Sequence, residues 1–597
     1  MKRKEATQEY KWDFSHLYKN HDEWKKDLNL LVDKTQKYQD FKNKLNQKEV
    51  FFEYLRLEEE LDFLVNKMSI YLHYADTDAT DQSFQELEGL IAHEYQKISV
   101  ATSFIAPEFK EIGETTIMNF LNSDPKYYPH IYGFKKFFEE AKHLLNAHDE
   151  ELLSKVGRSM GAVHPIYDSL STADKHDEKI VYKGKKQILT QSLLTEIYED
   201  TDPIQDQQLR IKASKLYSKN YVDRKHSFTA IYEGILQGSV EDVQLRGYES
   251  TLQASLSGDS VPVDIYLKLL EIGKKYNQPF KNYFQLVKNY FQLEKFYVTD
   301  RSLKLVEDYK SNFSVEQAKV IIKEALSIMG KDYLQALEVA WSNNKIDYYE
   351  DTNKRHGAYS SGGSGLDPII LMNWDDKLGS VNTLAHEIGH SVHTIFADQN
   401  QPYPLNDYPI ILAEVASTIN EHLLFDYMFK NAKNRQEKIY LLQHRIQDLL
   451  GTFTTQIQYS AFEYQAHKLV ENGQPLTADI LGKLFVKTQQ EYGHDVFDQK
   501  PNSKGIGYGW PYISHFFHSP YYVYKYAIDV VASYKLYTDI KSGNIETTLN
   551  FLKAGGHKEP MKIMYDSGID FTKEETYLPL IRALEEHIEE LTILLKK

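Results

Sequence analysis

Along most of this chain, apolar residues return every three or four positions among Lys, Glu and Gln, the spacing that lines one face of a 3.6-residue helix. The pattern predicts amphipathic helices over residues 24–45, 47–70, 83–105, 147–160, 205–237, 262–293, 315–328 and 437–470. In the last stretch, 574–596, Leu578, Leu580, Ile581, Leu584, Ile588, Leu591 and Leu594 keep one side apolar, so a final docked helix is expected. No heptad persists long enough for a coiled coil.

The periodicity fails at two glycine-rich segments, 357–365 and 505–511. Directly after the first, residues 368–374 (Pro-Ile-Ile-Leu-Met-Asn-Trp) read as a strand, and residues 179–189, with Val181, Tyr182, Gly184 and Lys185, as a small hairpin. At 597 residues the chain exceeds a single simple core. A division near residue 195 is expected, into an N-terminal helical region, 1–195, and a larger region, 196–597. No internal repeat or low-complexity linker is evident.

Charge and composition narrow the chemistry. With 70 basic against 86 acidic residues the net charge is −16, which offers no field for nucleic acid or anionic membrane, so neither is an expected partner. The absence of cysteine excludes a disulfide framework, a thiolate nucleophile and a Cys-ligated zinc ribbon. Any metal must therefore be held by His and carboxylate. The basic start, Met1 to Glu9, runs into polar residues with no apolar signal core, and no run approaches the ~18 apolar residues of a membrane span. A soluble cytoplasmic protein is expected.

His386-Glu387-Ile388-Gly389-His390 matches His-Glu-x-x-His. Positions i and i+4 lie one turn apart on one helix face, so both imidazoles can reach one ion. Val381, Leu384, Ile388, Val392, Ile395 and Phe396 recur at helical intervals around them, and Ser380 or Asn382 can cap the start. Glu387 is placed as a general base acting on water. A metzincin would need Gly at 393 and His at 396, where this chain has His393 and Phe396, so that class is excluded.

The third ligand is then a carboxylate or a distant His. Downstream, a second helix is expected, with Asp407 as its cap and Pro409 early in it. Glu414 lies in a mostly apolar turn, where an unpaired carboxylate would be costly, and is the expected third ligand. Ser417 and Glu421 share its face at i+3 and i+7, which makes Glu421 a candidate to orient a ligand His. His393 reads as a pocket or supporting residue, and Asp398 as a possible buttress for a ligand His.

These segments resemble oligoendopeptidase F, the bacterial branch of the thimet oligopeptidase family. The resemblance is carried by residues 383–393 and 412–418, and by Gly357-Ala358-Tyr359-Ser360-Ser361-Gly362. The strand ending Leu371-Met372-Asn373-Trp374, residues 515–526, Ala554-Gly555-Gly556 and Ser567-Gly568-Ile569-Asp570 extend it. It implies a mainly α fold: an elongated, two-lobed helical zincin with a deep substrate channel and a small β-sheet near the active site, both lobes being built largely from 196–597. It also implies one Zn2+ per chain on His386, His390 and Glu414, with Glu387 as general base and short oligopeptides as substrates. Residues 368–374 would be the edge along which a peptide adds, and the glycine-rich segment before them a mobile loop closing on substrate.

By the same resemblance, a His and Tyr constellation within 515–526 donates to the carbonyl oxygen of the scissile bond, which gains negative charge during attack. His515 and Tyr522 are the first candidates and Tyr526 the next, with Tyr521 and Tyr524 close by. The expected activity is metal-dependent hydrolysis of internal peptide bonds. An exopeptidase on the same scaffold, a non-catalytic peptide-binding protein and a helical scaffold with a chance motif are the rivals.

Overall fold

The structure, a computed structural model, describes residues 2–306, 312–499 and 505–596. It is mainly helical with a few small sheets. The expected periodicities emerge as helices, but the longest ones are broken. Residues 262–293 form Val263–Lys275 and Gln278–Tyr290, the second started by Pro279, whose missing N–H suits a first turn. Residues 437–470 become Arg435–Leu449 and Gln456–Glu471 with a π-helical turn, Leu450–Thr455, between them.

The chain divides by contact into two compact units that alternate along the sequence. The first comprises Met1–Leu144, Lys310–Tyr427 and Leu536–Gly568; the second comprises Leu145–Tyr309, Met428–Lys535 and Ile569–Lys597.

In the first unit, helix α1 (Lys48–Leu72) buries Phe51, Leu55, Leu64, Met68 and Tyr71 in a core that also takes in Trp12, Trp24, Ile117, Ile369 and Leu371. Three strands form its sheet: β1 (Ile346–Tyr349), β2 (Tyr359–Gly363) and β3 (Leu366–Trp374). The order is β1-β3-β2, with β1 parallel and β2 antiparallel to β3. Residues 368–374 are therefore the middle strand and not the expected edge. Both sides of β3 are already paired, because Ile346 and Asp347 of β1 register with Ile370 and Leu371.

The two edges are β1 and β2, and β2 is formed by the segment expected to be a mobile loop. Ser364 and Gly365, both at positive φ, turn the chain tightly back into β3. Gly362 permits the close pairing, since a Cβ there would lie 2.4 Å from Pro368 Cα.

The sheet packs on helix α2 (Leu378–Asn400), which is followed by α3 (Ile410–Lys430). Neither expected cap is used. Lys377 precedes α2 without a side-chain cap, and Ser380 instead donates to Asp375 at 2.7 Å. Asp407 and Pro409 both precede α3, and Asp407 accepts from its neighbour Tyr408.

In the second unit, Phe228, Tyr232, Leu236, Phe462, Trp510, Phe516 and Phe517 form an aromatic-rich core, and helix α4 (Gln456–Glu471) runs through it. The expected hairpin forms from Lys179–Tyr182 and Lys185–Ile188. Helix α5 (Tyr524–Lys541) begins inside the 515–526 segment, and α6 (Leu578–Lys596) is the expected last helix, with Leu580, Ile581, Leu584, Ile588 and Leu591 buried. Among the described residues, no helix is long and apolar enough to cross a membrane.

Candidate metal centre

Helix α2 buries Val381, Leu384, Ala385, Ile388, Val392, Ile395 and Phe396, which leaves His386 and His390 one turn apart on its open side. What brings a carboxylate to them is Gly389. A Cβ at that position would lie 2.4 Å from Ser417 Cα and 2.9 Å from the Ala416 oxygen, so α2 and α3 meet backbone to backbone there. Asn420 secures the contact by donating to the Ala385 carbonyl at 2.9 Å while accepting from Tyr333 at 2.5 Å.

Glu414 is thereby carried to both imidazoles. Its Oε2 lies 3.2 Å from His386 Nε2 and 3.5 Å from His390 Nε2, and the two Nε2 atoms are 3.2 Å apart. Zinc–nitrogen and zinc–oxygen bonds of about 2.0–2.1 Å in a tetrahedron require ligand atoms about 3.3–3.4 Å apart, so the three edges of this triangle fit one face of such a site. Two neutral imidazoles and a carboxylate are also a donor set that zinc accepts, with a fourth position left open. Among the described residues, these three form the one group of His and acidic side chains close enough to share a metal ion.

The flanking contacts suit that reading. Glu421 Oε1 accepts from His386 Nδ1 at 2.7 Å, which fixes the ring with Nε2 on the side of Glu414 and leaves that nitrogen as the one available to an ion. Ser417 donates to Glu414 Oε2 at 2.9 Å and limits its rotation. Burial disfavours a charged His386, but hydrogen bonds to Glu414 and Glu421 outweigh it and raise its pKa well above the ordinary value. Burial likewise works to raise Glu414, yet the two imidazoles hold it well below the usual carboxylate range. A cluster with two carboxylates around one imidazole calls for positive charge, and a divalent cation supplies it more fully than a proton.

Glu387 is 7% exposed, and burial raises its pKa against the opposing pull of His386 and His390. The Ser360 backbone N–H of β2 also acts on its carboxylate. The β2 edge and the expected base therefore lie side by side. Sequence reasoning gave no role to Ser360, Gly389 or Asn420. The Gly within the motif was the available signal, because a helix-interior glycine usually marks a close approach.

One other expectation is not met: Asp398 does not touch a ligand His; it accepts from Asn406 and the Gly365 N–H. His393 takes the supporting place of its two expected ones: it is buried and stacked at 3.7 Å on Tyr408, whose hydroxyl lies 3.5 Å from the His390 carbonyl, and burial drives its pKa down to about 3.

In the second unit, His515, Tyr522 and Tyr526 come together. His515 Nε2 lies 3.3 Å from the Tyr526 hydroxyl, the His515 and Tyr522 rings stack at 5.6 Å, and Tyr522 meets Tyr526 edge-on at 5.5 Å. Tyr521 and Tyr524 are buried in the core instead. Tyr522 precedes α5 and Tyr526 lies in its first turn, and the two rings meet.

Comparison with known proteins agrees with the fold. Residues 108–175 match the model for Oligopeptidase F, and residues 203–582, well over half of the chain, match the model for Peptidase family M3. The chain is 28% identical to Oligopeptidase PepF of Bacillus subtilis, over 100% of this chain and 88% of that protein, and 28% identical to Group B oligopeptidase PepB of Streptococcus agalactiae, over 100% and 98%. A solved structure from Chlamydophila abortus superposes with a TM-score of 0.91 at 28% identity, covering 99% of each chain. On the extent of the matched family model, the chain belongs to peptidase family M3.

Proposed function

We propose that the chain is a zinc-dependent endopeptidase that hydrolyses internal bonds of short oligopeptides. The observation that carries this is the convergence of His386, His390 and Glu414 on one point, with the buried Glu387 beside them. The names of the similar oligopeptidases support the substrate class. The catalytic residues fall in the region 196–597.

His386, His390 and Glu414 would hold the ion, which when bound acts as a Lewis acid that acidifies water toward pKa ~7 and polarises a carbonyl. Glu387 then works as general base. Burial raises its affinity for a proton, and it passes the proton it takes from water to the departing amine nitrogen. Glu421 keeps His386 in the tautomer that presents Nε2. The substrate backbone adds to the open side of β2 in place of a fourth strand, beside Glu387. To His515, Tyr522 and Tyr526 we assign, on the family resemblance, donation to the carbonyl oxygen as it gains charge.

The test is an internally quenched peptide of about ten residues, blocked at both ends. Wild type, chelator-treated protein and Glu387→Gln are compared, with products read by mass and zinc by elemental analysis. Internal cleavage by wild type alone is expected, with Glu387→Gln retaining zinc and losing about 10³-fold or more in kcat. Trimming of an unblocked peptide without cleavage of the blocked one would make the enzyme an exopeptidase. Zinc-loaded protein inactive on both would indicate a peptide-binding protein.

A further inference from the structure

Strand β2 is held on both faces. Toward α2, the Ser360 hydroxyl lies 2.8 Å from that of Ser391. On the opposite face, Tyr359 and Ser361 meet residues of the turn His73–Thr77 that follows α1. The Tyr359 hydroxyl donates to Asp76 Oδ2 at 2.6 Å and lies 2.9 Å from His73 Nδ1, while His73 Nε2 lies 3.2 Å from Ser361 Oγ. Asp76 also approaches His73 Nδ1 at 3.5 Å and Arg355 at 3.4 Å. Both hydroxyls on that face of the strand thus end on one His–Asp pair.

The Ser361–His73–Asp76 sequence of contacts looks like a nucleophile relay, but its balance is wrong for one. The shortest bond to Asp76 comes from the Tyr359 phenol and not from the imidazole, so the carboxylate is committed to fixing a strand side chain. An arrangement that ties alternate residues of one strand to a single turn orients that strand. An edge strand needs this, because one of its sides has no backbone partner to set its position.

We propose that His73 and Asp76 are positioning residues, which set the height of β2 above α2 and so the register of a peptide added to its edge. This rests on the reading of β2 as the substrate edge. A less firmly held edge would pair less well with an added peptide backbone, a loss read chiefly in KM.

The experiment uses the full-length, zinc-loaded enzyme and the blocked peptide. His73→Ala, Tyr359→Phe, their double variant, Asp76→Ala and Asp76→Asn are measured for KM, kcat, zinc content and melting temperature. Loss of these hydrogen bonds should raise KM about three- to tenfold, with kcat and zinc content within about twofold of wild type. Because both residues act through one network, the double variant should exceed the worse single by less than about twofold. Asp76→Asn keeps an acceptor for Tyr359 and should restore most of what Asp76→Ala loses. Folded, zinc-loaded variants with unchanged KM would overturn the positioning role while leaving the endopeptidase reading intact. A wild type that leaves the blocked peptide whole would remove the edge-strand reading and this inference together.

Discussion

The metal centre of the first unit and the aromatic cluster of the second are built by opposite means. The metal centre depends on two helix backbones in contact at Gly389 and Ser417, where there is no room for a methyl group. Every acidic group around His386 has a partner at hydrogen-bond distance. The aromatic cluster follows a strained turn. Tyr521 adopts φ 57°, a left-handed conformation that costs a bulky residue about 1–3 kcal/mol. That turn is held by a single buried carboxylate, Glu463, which accepts the Tyr521 N–H at 2.8 Å, and by the Tyr521 hydroxyl 3.1 Å from Thr251. A metal site tolerates little displacement, whereas donors to a developing charge can adjust as substrate binds. On the proposed function, the rigid packing serves the first task and the strained turn the second.

Gly389→Ala attacks the rigid side of this comparison and has the largest expected effect after loss of Glu387. The added Cβ would force α3 away from α2 and pull Glu414 off the two imidazoles. A destabilisation of about 1–3 kcal/mol and a loss of most bound zinc are expected, measured by melting and metal analysis. Full zinc content with unchanged stability would mean that the two helices are not in backbone contact.

Glu421→Gln asks for less. The amide still reaches His386 Nδ1 but no longer supplies charge, so zinc affinity should fall about 10- to 100-fold, read by competition with a chelator. An affinity equal to wild type would reduce Glu421 to a surface neighbour of the site.

Tyr522→Phe and Tyr526→Phe then sharpen the other side. If one hydroxyl serves the carbonyl oxygen, its removal should lower kcat about 10- to 100-fold with zinc content unchanged. The other substitution should cost only a few-fold. Equal and small losses in both would remove the tyrosines from the chemistry and leave an aromatic packing cluster.

The same contrast explains what could be read from the sequence. The α2 motif and the Glu414, Ser417 and Glu421 face follow from helical spacing, which is local, and the structure brings those residues together. The strand arrangement was hidden because it depends on partners distant in sequence. Ile346–Tyr349 is only four residues long and buried throughout, so it carries no alternation to recognise. Tyr359–Gly363 is Ser- and Gly-rich and has low intrinsic strand preference, yet Ser360–Ser391 and the Gly362–Pro368 approach make it a strand. The caps failed for a similar reason: the Ser380 hydroxyl is committed to Asp375, accepting its N–H at 3.1 Å and donating to its carboxylate at 2.7 Å, and takes no helix N–H. Glu463 gave no signal at all, since a lone carboxylate in a helix reads as solvated until its burial is known.

Glu463 supplies the prediction with the smallest effect on turnover. Burial pushes its pKa from an ordinary 4.5 to about 8, opposed only by the Tyr521 N–H. Between those values the folded protein keeps a proton on Glu463 that the unfolded chain has released. Its contribution to stability is therefore complete below the unfolded pKa and is lost as pH rises through the folded pKa. Glu463→Gln retains an oxygen to accept the Tyr521 N–H and removes the titration, so turnover at neutral pH should change less than about twofold. The stability of the variant relative to wild type should instead grow from about pH 5 to about pH 8, by an amount on the order of a few kcal/mol. Melting curves collected across that range test it. Parallel pH dependence in the two proteins would show that the Tyr521 turn does not rest on a neutral carboxyl. A steeper decline in wild type, with Glu463→Leu losing turnover that Glu463→Gln keeps, would identify the acceptor oxygen, and not the charge, as what holds the aromatic cluster in place.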